Sequence, residues 1–83
     1  MDTVDGVRSL LKSALQLGDR ADRLTENSAL LGAIAELDSM AVVTVITMME
    51  DQYGIQVDDD EISADTFATV GTLARFLAHK LAQ

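Results

Sequence analysis

The 83-residue chain contains no cysteine, no proline and no tryptophan, and aromatic residues make up only 4% of it. Without cysteine there is no disulfide staple, no thiolate metal ligand and no thiol nucleophile, a composition that suits a reducing compartment. Imidazole is confined to His79, near the end of the chain. Bases are scarce too: six Lys and Arg stand against fourteen Asp and Glu, for a net charge of −8. All six, Arg8, Lys12, Arg20, Arg23, Arg75 and Lys80, lie outside the stretch Leu24 to Ala74, which holds ten of the acids. Such a surface works against nucleic acid and anionic lipid, whose phosphates are met with Lys and Arg, and favours a basic protein partner. No apolar run approaches the roughly 18 residues of a membrane span, and Met1-Asp2-Thr3-Val4-Asp5 lacks the basic-then-apolar pattern of a signal peptide. A cytoplasmic protein with no membrane insertion is expected.

What is present suffices for a core. Apolar residues are 48% of the chain and charged residues 24%, which excludes the disordered class, and the length implies one domain over residues 1–83. Val4, Val7, Leu10, Leu11, Ala14 and Leu15 recur at steps of three, four and seven, predicting an amphipathic helix over Val4 to Gln16 that stops at Gly18. A long connection, Leu17 to Leu37, follows; its second half, Ala29 to Ala35, is apolar enough to pack down. Connections of that length are uncommon unless they are functional.

In Met40 to Met49, propensity and pattern disagree. The β-branched residues favour a strand. The spacing of Val42, Val45, Ile46, Met49 and Tyr53, unbroken for about fifteen residues, is one face of a helix, and helix is the reading adopted. Asp38-Ser39 supplies its N-cap. After Gly54 come the acidic turn Asp58 to Glu61, a short helix over Ser63 to Ala68, and a last helix capped by Thr69, with Val70, Leu73, Phe76, Leu77 and Leu81 as its buried stripe. The expected fold is all-α: a small four-helix bundle, three main helices and one short one, with a long loop between the first two.

Catalytic chemistry finds little support. A nucleophilic serine needs a base within reach, and His79 in a last helical turn is explained by the helix dipole. Asp58 to Glu61 lacks the spaced carboxylates and central glycine of a calcium loop and allows only weak, unspecific divalent binding. Glu36 and Asp38 have no accompanying polar set for acid–base work. Ser39 remains. It sits at a helix N-terminus, where free amides and the macrodipole favour a phosphate carried on its hydroxyl. The plainer reading of an isolated Asp-Ser pair is a helix cap.

Context decides between the two. Glu36-Leu37-Asp38-Ser39-Met40, followed by an apolar helix ending in Glu50-Asp51-Gln52-Tyr53-Gly54-Ile55-Gln56-Val57, resembles the acyl carrier protein family, in which a Leu-Asp-Ser-Leu-type motif opens the second helix. The likeness extends to the first helix, the long loop, the acidic turn after Val57, and Thr69-Val70 opening the last helix. It implies that Ser39 receives pantetheine 4′-phosphate from coenzyme A through a separate phosphopantetheinyl transferase. The thiol of that arm would carry acyl groups as thioesters for acyl-transferring, condensing or reducing enzymes. The chain itself would be a monomeric carrier and no enzyme, importing the thiol its own sequence lacks. The resemblance also implies an acyl-chain pocket among Val45, Ile46, Met49, Ile62 and Leu73, positions that are otherwise ordinary core.

One departure is visible. Carriers of general fatty-acid synthesis show several carboxylates along the exposed face of the second helix, whereas here Ala41, Thr44 and Thr47 stand there and acids return only at Glu50 and Asp51. Met40, Val43 and Thr47 then form a weakly polar, semi-exposed stripe. The partner surface is expected over Glu36, Met40, Ala41, Val43, Thr44, Thr47, Glu50 and Asp51, with apolar contact in the middle and acids at the flanks. This points to a specialised carrier of secondary-metabolite, lipid-modifying or exopolysaccharide-linked synthesis. Two alternatives stay open: an aminoacyl or peptidyl carrier, and an acidic helical interaction domain in which Asp38-Ser39 is only a cap.

Overall fold

The structure is a computed structural model that describes residues 3–82; Met1 and Asp2, on which the signal-peptide reading partly rests, lie outside it. Three α-helices carry the fold: α1 (Thr3–Leu15), α2 (Ser39–Tyr53) and α3 (Val70–Leu81). Three short 3₁₀ turns, Gly18–Arg23, Asp59–Glu61 and Ala64–Phe67, lie between them. Among the described residues the sole β-type pairing is an isolated antiparallel bridge between Ala29 and Thr69.

The apolar stripe of α1 is what assembles the bundle. Val7, Leu10, Leu11 and Leu15 are buried, and α1 packs against both α2 and α3. Val45, Ile46 and Met49 of α2 and Val70, Leu73, Ala74 and Leu77 of α3 meet them in one core, with Phe67 from the last 3₁₀ turn beneath. The β-branched run of α2 is therefore helical. Burial of one face at helical spacing outweighs a strand preference spanning only about 1 kcal/mol. The helix ends at Gly54, whose φ of 65° is the left-handed stop that glycine adopts without strain.

Three expectations need correcting. First, α1 ends one residue early, and Gln16 rather than Gly18 is the left-handed stop residue, with φ 53°. The Leu17 amide then reaches back to the Lys12 carbonyl at 3.1 Å, closing a Schellman motif, and Leu17 buries as its apolar latch. Second, Leu81 is 44% exposed and not part of the buried stripe, and Phe76 is only half-buried, because α3 outruns the core it packs on. Third, the long connection from Leu17 to Leu37 is there as expected, but its apolar half packs down only in part. Its start is the 3₁₀ turn Gly18–Arg23, which buries Ala21. In its apolar half Leu30 is buried while Leu31, Ala33 and Ala35 are exposed.

Backbone hydrogen bonds hold that long segment down. Leu30 and Leu31 amides donate to the Ala68 and Phe67 carbonyls at 3.0 Å each, and the Val70 and Gly71 amides donate to Ser28 at 3.0 Å and Glu26 at 2.8 Å. The last pair matters twice. First-turn amides of α3 that have no intrahelical acceptor find one in the loop, and the Glu26 carbonyl comes so close that a Cβ on Gly71 would lie 2.9 Å from it. Thr69 caps the same helix, accepting from the Thr72 amide at 3.1 Å, while the Thr72 hydroxyl accepts from the Thr69 amide at 2.9 Å.

Candidate functional site

Leu37 is buried and its amide donates to the Ile34 carbonyl at 3.0 Å, so the chain entering α2 is anchored two residues before Ser39. Asp38 follows in extended conformation as the N-cap; its Oδ1 accepts the Ala41 amide at 2.8 Å, and its carbonyl takes the Val42 amide at 3.0 Å. Two of the four first-turn donors are thereby satisfied. The amides of Ser39 and Met40 have no intrahelical acceptor to reach. Ser39 is thus the first residue of α2, exposed, with its hydroxyl projecting at the positive end of a fifteen-residue helix.

Beside it opens an apolar groove of about 350 Å³ between the start of α2, Leu31 of the long segment, and the stretch Ile62 to Phe67. Ser39 and Asp38 stand at its polar edge; Val42, Ile62 and Phe67 line its interior. Of the five residues expected to line an acyl pocket, Ile62 alone lines this groove. Val45, Ile46, Met49 and Leu73 are buried in the core. Leu31, Val42, Ser63, Ala64 and Phe67 were not expected to line a groove. Phe67 had a signal in being one of two phenylalanines; Leu31 had none, since it sits in an irregular segment where periodicity says nothing.

The expected partner surface divides. Met40 is 74% and Val43 60% exposed, Thr44 and Thr47 are exposed, and Ala41 is half-buried. The acids behave differently. Glu36 is ion-paired with Arg20, and its other oxygen, Oε1, is covered with no partner among the described residues. Glu50 is half-buried and its Oε2 accepts the Val57 amide at 2.9 Å, fastening the chain after α2. Asp51 is exposed.

Below the groove, Glu61 accepts the Asp58 amide at 2.8 Å and Lys80 Nζ at 2.9 Å. The Asp58 amide first, and then Lys80, hold the Glu61 carboxyl below the ordinary 4.5 of a glutamate. His79 is exposed in the last turn of α3. Among the described residues no three His, Cys, Asp or Glu side chains gather to hold a metal ion, and no helix is long and apolar enough to cross a membrane.

What the arrangement can do is bounded by these contacts. Among the described residues no His or Lys lines the groove with Ser39, and the carboxylate beside it, Asp38, is engaged as the helix cap. An exposed hydroxyl, two free amides and an open apolar groove fit a phosphodiester on Ser39 Oγ with an apolar burden attached to it. Comparison with known proteins bears on this directly. Residues 5–77 match the family described as the phosphopantetheine attachment site. The whole chain is similar to the solution structure of a holo acyl carrier protein from Nitrosomonas europaea, at 54% identity and a TM-score of 0.92, with 100% of both chains covered.

Proposed function

Because the chain belongs to the phosphopantetheine-attachment family of acyl carrier proteins, carriers and not enzymes with a covalently held phosphopantetheine, we propose that Ser39 is the residue that bears the arm. The observation that carries this is local: Ser39 is the exposed first residue of α2, directly after the capping Asp38 and at the lip of the apolar groove. Its hydroxyl oxygen would form the new bond to the pantetheine-bearing phosphorus of coenzyme A as the pyrophosphate P–O bond breaks and adenosine 3′,5′-bisphosphate leaves, the hydroxyl proton passing to a base of the transferase. When bound, the arm supplies a terminal thiol that holds acyl groups as thioesters. Asp38 keeps the helix start rigid. Leu37 fixes the approach of the chain, and the amides of Ser39 and Met40 favour the phosphate's negative charge.

Incubation with coenzyme A and a broad-specificity phosphopantetheinyl transferase, followed by intact-mass measurement, tests the site. The wild type gains the mass of one phosphopantetheine and Ser39→Ala gains nothing. A gain that persists in Ser39→Ala places the arm elsewhere.

The partners are that transferase and enzymes that transfer, condense or reduce the acyl group, met in the cytoplasm. Likeness to a holo acyl carrier supports an acyl over an aminoacyl cargo, and an interaction domain without a prosthetic group falls with family membership. Ala41, Thr44 and Thr47 leave the first turns of α2 without carboxylates until Glu50 and Asp51, which supports a dedicated pathway over housekeeping fatty-acid synthesis. Purified fatty-acid synthase enzymes then elongate chains on this carrier poorly beside a housekeeping carrier; equal elongation rejects the specialised assignment.

A further inference from the structure

Val45, Met49 and Leu73 are fully buried in the core, whereas the groove that opens at Ser39 ends on Val42, Ile62 and Phe67. Those three side chains belong to both spaces, lining the groove and packing in or against the core, so they are the wall between the two. Regular structure holds two of them. Val42 lies inside α2, and Phe67 closes the turn Ala64–Phe67. The Phe67 carbonyl accepts the Leu31 amide at 3.0 Å, and the Thr66 carbonyl beside it accepts the Thr72 hydroxyl at 3.0 Å. Ile62 is different: it stands in the two-residue joint between Asp59–Glu61 and Ala64–Phe67, outside any helix.

The residue before it sets its position. Glu61 Oε2 accepts the Asp58 amide at 2.8 Å, and both Glu61 oxygens take Lys80 Nζ, at 2.9 and 3.0 Å. Lys80 reaches there from the last turn of α3, and its side chain is only 9% exposed. Covered to that degree, the ammonium has lost much of its water and is left uncompensated if Glu61 moves away. Anything that pushes Ile62 aside therefore pulls on this pair.

We propose that the Lys80–Glu61 pair is the latch that keeps Ile62 between groove and core, and so limits the acyl chain this carrier shelters to one short enough for the groove alone. The proposal rests on Ser39 as the attachment site and adds what happens at the far end of the cargo. A short or medium chain enters the groove beside Ser39 and loses its contact with water. A longer chain meets Ile62 and Phe67 and leaves its remaining methylenes exposed. Lys80 touches no cargo; it is a positioning residue that acts through Ile62.

Chain-length profiles test it. The apo protein is loaded from butyryl-, octanoyl- or dodecanoyl-coenzyme A by a broad-specificity transferase. Each acyl form's melting temperature is compared with that of the holo form of the same variant, which cancels the variant's own loss of stability. In the wild type the gain over holo rises from butyryl to octanoyl and then levels, dodecanoyl adding less than about 2 °C. In Lys80→Met, which keeps the stem and removes the charge, dodecanoyl adds about 5 °C or more beyond octanoyl, because its further methylenes bury in the core. Glu61→Gln, which weakens the pair while keeping its acceptors, shifts the profile the same way by less, and stands in for Lys80→Met should that variant not fold. Ile62→Ala shows the rise with the pair intact, and adding Lys80→Met to it changes the profile no further. A wild-type gain that is absent or keeps climbing through dodecanoyl, or a levelling that survives in Lys80→Met and Glu61→Gln, overturns the latch while leaving Ser39 in place. A further rise when Lys80→Met is added to Ile62→Ala also overturns it, since Lys80 then acts by another route. A wild type that takes up no acyl-phosphopantetheine at all overturns both.

Discussion

Gln16 carries a cost that its neighbours impose. At φ 53° it occupies the left-handed region, roughly 1–2 kcal/mol unfavourable for a residue with a Cβ, because the Leu17 amide must turn back to Lys12 and Leu17 must bury. Gln16→Gly removes that penalty but adds unfolded-state freedom, for a net gain of about 0.5–1 kcal/mol. Urea denaturation shows it as a higher midpoint at constant slope; a lower midpoint assigns the Gln16 side chain a contact of its own. Gly18 looked like the stop from its residue type alone. The burial of Leu17, which only packing shows, fixes the stop two residues earlier.

At the level of elements, the acidic turn Asp58 to Glu61 is tied to α3 through Lys80, whose side chain is 9% exposed. Glu61 has its carboxyl held below the usual 4.5, so the folded state binds its proton less readily than the unfolded chain. Its contribution is therefore fully present above that value and is lost as pH falls through it toward the folded pKa. Glu61→Gln, which keeps acceptors for Asp58 and Lys80, makes the fall in melting temperature between about pH 6 and about pH 3 shallower than in the wild type. Parallel curves count against the turn as an acid-sensitive clasp. That clasp immediately precedes Ile62, Ser63 and Ala64, so it also steadies one wall of the groove beside Ser39.

Taken whole, the molecule is dominated by its net charge of −8. Between Leu24 and Ala74 acids face no base of their own segment, and their relief comes from the edges, with Arg20 on Glu36 and Lys80 on Glu61. Self-repulsion among the rest is screened by salt, so moderate salt or a divalent cation raises the melting temperature. A melting temperature that does not move between low and moderate salt shows the repulsion to be already spent. Two of the acids first assigned to partner docking, Glu36 and Glu50, have partners within this internal balance, while Asp38 beside Ser39 and Asp51 stay exposed.

The sequence by itself determined the helices, the motif and the excess of acid. Periodicity and caps are local properties: apolar spacing on α1 and α2, Asp38 before Ser39, Thr69 before α3. Tertiary structure decided what depends on long-range contact. It pinned the long segment onto α3 through Gly71 and Glu26. It gathered Leu31 and Phe67, remote in sequence, to the groove at Ser39. It also spent Glu36 and Glu50 on internal partners, because whether a carboxylate faces solvent or a neighbouring amide is a matter of distance across the fold, which no residue type or spacing encodes.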